Sequence, residues 1–464
     1  MNNINIKKLF KSKRAGNVII LIFSILLVYS IVSLYFTKHF FFNTVINGVD
    51  VSLKAHGDAD DIIKGYVNDY KLQLIERKNE IEEIKGKDIG MQYNEKNNIS
   101  KVYFNQSSIK WIISVLKDEK YYVDDLFVYN KDDLENKINE LNCLNKEIVE
   151  PQNVSFKYLK DSYEVIEEVY GNKIKKDKLK ADIEMSILKG ETKLDLNQNL
   201  CYENPNYTLK SDKTFETKSL LDKYVQSKIT YIFGSENEIL DGNIISQWLS
   251  VNENLEVVTN EKAVREYVLG LSKKYDTVGV TRNFKTSTGK VVEVKGGIYG
   301  WKINPYAEEK AILETIKLGI VIEREPIYGQ KAVSRDKNDI GNTYVEINIT
   351  RQHLWFYKNG RLITQGAVVT GNPNRGNSTK LGTYMLNYKQ KGSTLRGQNY
   401  EAEVTYWMPF YGNIGIHDAS WRYSFGGQIY KRNGTHGCVN APLYLAKTIF
   451  DNIEDGTPII CYEE

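Results

Sequence analysis

The residues best suited to covalent chemistry lie close together near the C-terminus. Of five histidines in 464 residues, two, His417 and His436, precede Cys438 by 21 and 2 positions. The segments read Gly415-Ile416-His417-Asp418 and Gly434-Thr435-His436-Gly437-Cys438-Val439-Asn440. A thiol beside an imidazole can lose its proton and become the thiolate, which is the nucleophile. Gly437 next to that thiol opens backbone angles closed to other residues and allows a substrate close. Pro442 suits a first helical turn. Cys438 is therefore expected just ahead of a helix N-terminus, whose dipole and N–H groups would lower its pKa and hold an oxyanion. Two other readings compete. Zinc bound by His417, His436 and Cys438 lacks a fourth ligand at the usual spacing. Inert packing suits Cys143, Cys201 and Cys461, but Cys438 sits in a turn with no apolar stripe. With no CxxC pair, a disulfide framework is not expected.

The elements around these residues read as a small, mostly antiparallel β domain. Tyr344–Thr350 alternates, and His353–Tyr357 is followed by Asn359-Gly360, a hairpin-turn pair. Arg361–Thr370 and Gly382–Tyr388 continue the strands. One helix, Pro442–Ile453, carries Leu445, Ile449 and Ile453 on one face, and Ile459–Tyr462 is a last strand.

At the other end, Val18–Phe36 is a run of 19 residues without charge or proline, which suits one membrane-spanning helix. Lys7, Lys8, Lys11, Lys13 and Arg14 precede it, and no acid occurs before Asp50. That asymmetry places the tail in the cytoplasm and the rest outside. A cleaved signal peptide would have a shorter apolar core and a small-residue cleavage site, whereas this run continues into TKHFFF. Without the five tail cations, 57 basic residues face 59 acidic ones. No basic patch stands out, so nucleic-acid binding has no support.

Between anchor and β domain, Val49 to about Tyr170 reads as helices with short strands between them. Asp58–Ile84 and Asp132–Leu144 have helical spacing. A repeat then recurs at an offset of 129: Tyr170, Gly171, Lys173 and Ile174 match Tyr299, Gly300, Lys302 and Ile303. Ile183, Ile187 and Gly190 match Ile312, Ile316 and Gly319 without a gap. Each copy reads as a strand (Tyr163–Val169, Val291–Ile298), a helix ending at a capping glycine, and a further strand. The fold class is α+β multidomain: one transmembrane helix, two α/β modules and a β domain. The expected boundaries are 1–15 for the tail, 16–37 for the anchor, 43–215 and 216–333 for the modules, and 343–463 for the β domain.

Thr435-His436-Gly437-Cys438, with His417 upstream, resembles the signature of the L,D-transpeptidase (YkuD-like) catalytic domain. Val369-Thr370-Gly371, Leu381-Gly382-Thr383-Tyr384, Trp421 and Gly426-Gly427 are similar to further positions of that family, and Asn440 and Pro442 look like its Asn-containing branch. The resemblance covers Tyr344–Tyr462. One departure is Thr379-Lys380, where many members have Thr-Pro, so the turn before the Gly382 strand is expected to differ. The repeats resemble a peptidoglycan-binding module, although a duplicated spacer would read the same way.

The resemblance implies a cysteine acyltransferase without metal or cofactor. Cys438 attacks the third residue of a peptidoglycan tetrapeptide stem and expels D-alanine, and the amine of an acceptor stem then completes a 3→3 cross-link. Water in its place would make the enzyme an L,D-carboxypeptidase. His417 would be the general base, oriented by a backbone carbonyl near Asp418. His436 and the N–H groups of Gly437 and Cys438 would hold the oxyanion, with Thr435 behind them and Asn440 beside them. Tyr406, Trp407, Trp421 and Arg422 are groove candidates that would serve equally as aromatic core and an exposed cation. Carbapenem-type β-lactams are the implied inhibitors. A papain-like peptidase would place its Cys before its His, and a non-catalytic wall-binding protein would leave the His/Cys cluster unexplained.

Overall fold

The computed structural model describes residues 13–96, 99–336, 338–397 and 400–464. Lys7, Lys8 and Lys11 of the basic tail lie outside the described residues. Helix α1 runs from Lys13 to Tyr35, and its stretch Gly16–Tyr35 has a mean hydropathy of 2.7. By length and composition it could cross a bilayer.

The chain forms two compact units, one of residues 1–155 and 166–211, the other of 156–165 and 212–464. In the first, helix α2 (His56–Asp69) ends well before Ile84. Residues read as its continuation form strands β1 (Lys71–Ile75) and β2 (Ile81–Lys85). Leu72 and Leu74 are both buried, a period of two that the surrounding charges mask. The turn between the strands places Lys78 and Asn79 at φ 66° and 62°, angles that no helix interior accepts. Asp132–Leu144 is likewise split: α3 covers Lys131–Asn139, capped by the Asn130 side chain, and a separate short turn covers Asn142–Asn145. Helix α4 (Lys176–Lys189) stops at Gly190, and β3 (Lys193–Asp195) joins β1 in parallel, giving the order β3-β1-β2.

The second unit repeats this wiring. Helix α5 (Asp212–Val225) leads into the hairpin β4 (Lys228–Phe233) and β5 (Glu236–Leu240). After α6 (Glu261–Tyr275), α7 (Pro305–Leu318) stops at Gly319, and β6 (Val321–Arg324) joins β4 in parallel. The structural repeat thus includes a helix and a hairpin that the matched residues did not reveal. Residues 156–165, inside the span read as the first module, pack with this unit. Tyr163 is buried in its core, and its N–H donates to Asp222 Oδ1 at 2.7 Å.

The C-terminal domain contains two sheets. Strands β7 (Tyr344–Asn348), β8 (His353–Lys358), β9 (Arg361–Ala367) and β10 (Gly382–Met385) belong to the first. Asn359 and Gly360, at φ 51° and 74°, make the expected hairpin turn. The second contains β11 (Gln390–Gly397), β12 (Tyr400–Tyr411), β13 (Ile414–Asp418) and β14 (Val439–Ala441) in that order, with the short helix α8 (Ile429–Asn433) before β14. Helix α9 (Leu443–Asn452) buries Leu445 and Ile449 as its spacing predicts, with Ile453 just beyond its end. Strand β15 (Pro458–Tyr462) completes the first sheet as β9-β8-β7-β15-β10. Pairing is antiparallel except for β7 with β15 and β13 with β14.

The second module and this domain share a core in which Phe284 and Trp301 pack with Ile460 and Tyr462. The buried Glu346 carboxylate accepts from the Ser287 N–H at 2.9 Å and the Tyr462 hydroxyl at 2.6 Å. Arg282 and Asp339 form a second buried pair at 2.6 Å. Left unpaired, either charge would be costly.

Candidate active site

Parallel pairing of β13 with β14 sets His417 opposite Asn440, two residues after Cys438. His417 is 3% exposed and lies between two indoles, with ring centroids 5.9 Å from Trp407 and 6.0 Å from Trp421. Its Nδ1 is 2.9 Å from the Asp418 carbonyl oxygen. A carbonyl only accepts, so Nδ1 carries the proton and Nε2 is the lone-pair nitrogen. Burial pushes the imidazole pKa below its ordinary value, against the pull of the Asp418 carbonyl and with a small push from Arg422.

The half-buried Cys438 thiol faces the Asn413 carbonyl at 3.5 Å. Burial raises its pKa to about 11, and a backbone hydrogen bond from Gly415 acts the other way. The expectation that a helix dipole lowers this pKa is corrected here. Strand β14 separates Cys438 from Pro442, on the order of 13 Å along an extended chain, and desolvation dominates. Both shifts favour the neutral form of each group, thiol and imidazole.

Hydroxyls hold the turn. Gly437 has φ 125°, and an added Cβ would lie 3.0 Å from the Ile414 side chain. Its N–H donates to Thr435 Oγ1 at 3.0 Å, and that hydroxyl donates to the Cys438 carbonyl at 2.6 Å. The expected use of the Gly437 N–H as an oxyanion donor is therefore corrected, because Thr435 already occupies it. Behind the turn, the Thr379 hydroxyl donates to the Gly437 carbonyl at 2.7 Å and accepts from the Gly371 N–H at 2.9 Å. The Thr435 backbone is fixed by the Thr370 carbonyl and the Asn372 N–H, both at 3.0 Å.

A cavity of about 480 Å³ brings together Cys438, His417, His436, Thr435, Asn440, Trp421 and Arg422. It does not include the other candidates. Tyr406 is core, packed on Phe450 at 5.1 Å. Trp407 is buried against His417 and close over Gly415, where a Cβ would meet its ring at 2.7 Å. The buried Asp418 carboxylate accepts from the N–H groups of Thr405 and Tyr406 at 2.8 and 2.7 Å, so its role is structural. Gly437 shapes the turn from within. Four cavity residues from the β11–β12 hairpin, Leu395, Glu401, Ala402 and Glu403, were missed. The alternation of Glu-Ala-Glu-Val-Thr was the available signal.

Arg422 makes no side-chain hydrogen bond or ion pair among the described residues, and its Nε is shielded from water. Burial lowers its pKa. A buried donor without a partner costs about 1–3 kcal/mol, more when charged, which marks a place where an anion would be favourable. Among the described residues no group of three or more His, Cys, Asp or Glu side chains is placed to hold a metal ion. A larger cleft of about 860 Å³, lined by Arg282, Trp301, Arg335 and Tyr344 among others, contains neither a thiol nor an imidazole.

Residues 342–461 match the family model of the L,D-transpeptidase catalytic domain (YkuD). Residues 82–195 and 208–320 each match a domain family named for peptidoglycan binding. No curated protein matches the chain. Among solved structures, a mutant L,D-transpeptidase of Enterococcus faecium is 32% identical. That match covers 53% of this chain and 100% of the other, with a TM-score of 0.43. The catalytic domain of an E. faecium L,D-transpeptidase acylated by ertapenem is 36% identical over 26% of this chain and 98% of the other, with a TM-score of 0.25.

Proposed function

Because this chain belongs to the L,D-transpeptidase family, we propose that it joins peptidoglycan stems by 3→3 cross-links through a thioester on Cys438. The observation that carries the reading is the pair of adjacent parallel strands that bring Cys438 and His417 to one cavity, with His417 Nδ1 committed to a carbonyl. His417 Nε2 takes the thiol proton as Sγ attacks the carbonyl of the third stem residue. The proton passes to the departing amine of D-alanine as the C–N bond breaks, leaving the thioester. An acceptor amine then attacks, loses its proton to Nε2, and the thiolate leaves and is reprotonated. General base catalysis of this kind contributes about 10²–10⁴ in rate. The Cys438 N–H and His436 stabilise the tetrahedral oxyanion. Arg422 takes the free carboxylate of the departing D-alanine, which gives its unpartnered guanidinium a partner.

Carbapenem-type inhibitors would acylate the same sulfur, in keeping with the ertapenem-acylated relative. Helix α1 anchors the chain with its N-terminus in the cytoplasm and the catalytic domain facing the wall, and the two modules bind peptidoglycan rather than only spacing the domain. Product analysis tests the reaction. Tetrapeptide fragments incubated with the enzyme should give cross-linked dimers and released D-alanine by mass spectrometry. Release of D-alanine with tripeptide but no dimer would instead make the enzyme an L,D-carboxypeptidase.

A further inference from the structure

Residues 104–116 form the most exposed apolar patch on the first unit outside α1. Phe104 is 77%, Ile109 65% and Leu116 93% exposed, and Ile112, Ile113 and Val115 are about half exposed. Contiguous apolar surface of this kind marks a partner. The segment lies directly against α1. The Trp111 ring is 5.5 Å from Tyr29 and 6.1 Å from Phe36, and the Tyr29 hydroxyl donates to the Ile109 carbonyl.

The position of Tyr29 decides what the partner is. It lies six residues before the end of α1 at Tyr35, about 9 Å down the helix at 1.5 Å per residue. A bilayer core needs about 20 apolar residues to cross, and Gly16–Tyr35 supplies 20. The helix therefore has no surplus turns with which to keep Tyr29 above the membrane. Whatever touches Tyr29 must lie in the outer leaflet, in the acyl region about 9 Å below the headgroup boundary.

We propose that residues 104–116 are a second, non-spanning membrane contact, inserted into the outer leaflet beside α1. The inference rests on the reading of α1 as a membrane anchor. The chemistry fits a lipid surface: isoleucine, leucine and phenylalanine side chains for the acyl region, and Trp111 for the interface where indoles concentrate. Exposed Lys101, Lys110 and Lys117 can lay their stems on the apolar surface and reach the headgroups. The consequence is a first module held against the bilayer at two points rather than swivelling on one helix.

Depth-dependent quenching tests this on the full chain. In a Cys438→Ala background the remaining cysteines are buried, so one introduced cysteine takes an environment-sensitive fluorophore. Ile112→Cys and Leu116→Cys report the patch, Leu27→Cys reports the anchor, and exposed Lys131→Cys is the control. The labelled proteins are reconstituted into phosphatidylglycerol–phosphatidylethanolamine vesicles containing spin-labelled lipid. The expected result is loss of fluorescence at 112 and 116, stronger with the spin label near the headgroup than near the chain end. Position 27 is quenched most by the deep label, and 131 by neither. Quenching at 27 without quenching at 112 and 116 overturns the proposal and leaves the anchor standing. Blue-shifted but unquenched emission at 112 and 116 overturns it too, since a second copy of the chain then covers the patch. An unquenched position 27 removes the anchor and the proposal with it.

Discussion

Two titrating groups of opposite tendency meet at the site proposed for the chemistry. Burial raises the thiol to about 11 and lowers the His417 imidazole below its ordinary value. Attack needs His417 neutral, so acylation by a carbapenem should rise as pH increases through an apparent pKa below about 6.5, the unperturbed histidine value. It should then stay level until the thiol itself ionises near 11. Stopped-flow acylation rates across pH would show this, and an inflection between 8 and 9, the range of an ordinary cysteine, would contradict the neutral resting pair. Arg422 yields a different prediction. Hydrogen bonds to a charged group contribute about 1.5–3 kcal/mol, so Arg422→Gln should lower kcat/KM roughly 10–150-fold for a donor ending in a free carboxylate. A donor ending in a carboxamide should be nearly unaffected, and thermal stability should not fall, because the variant removes a partly buried charge whose shielded Nε has no partner. Equal losses on both donors would deny the guanidinium its carboxylate.

The elements explain why some residues were legible in the sequence and others were not. His417 and Cys438 announce themselves by residue type, and the first sheet was legible from Tyr344 to Tyr388 and at Ile459–Tyr462, but the second sheet, whose β13 carries His417, was not read. The helix α9 was visible because Leu445 and Ile449 recur at helical spacing. By contrast, Asp58–Ile84 misled because the alternating Leu72 and Leu74 are surrounded by Glu and Lys, and charge spacing alone cannot tell a half-buried strand from a helix. Tyr406 and Trp407 drew attention as aromatic groove candidates, but burial decides between core and groove, and burial belongs to the tertiary fold. Thr379 stood out in the sequence only as the start of a departure from Thr-Pro. In the fold its hydroxyl bridges Gly371 and Gly437. Thr379→Val should cost about 1–3 kcal/mol of stability for two buried groups left unpaired. It should also slow acylation up to roughly 10²-fold as the Cys438 turn shifts, and Thr379→Ser should restore both. Thermal unfolding together with carbapenem acylation rates checks the pair of effects. A valine variant with wild-type rates would show that the turn does not depend on this strut.

Across the molecule, one module architecture serves twice while the chemistry stays in a single cavity. Both repeats place a helix and a hairpin before the long capped helix, then add a parallel strand. The second copy also shares its core with the catalytic domain through Phe284, Trp301 and Ile460. The reaction proposed for the chain depends on one covalent event. The decisive measurement is the intact mass of the full-length protein, in detergent, after exposure to a tetrapeptide donor without an acceptor, with released D-alanine quantified in the same sample. The account predicts a tripeptide adduct, one per chain, mapping to the peptide that contains Cys438, with D-alanine released in equal amount and neither seen with Cys438→Ala. An adduct on Cys143, Cys201 or Cys461, or D-alanine release that survives Cys438→Ala, would contradict it.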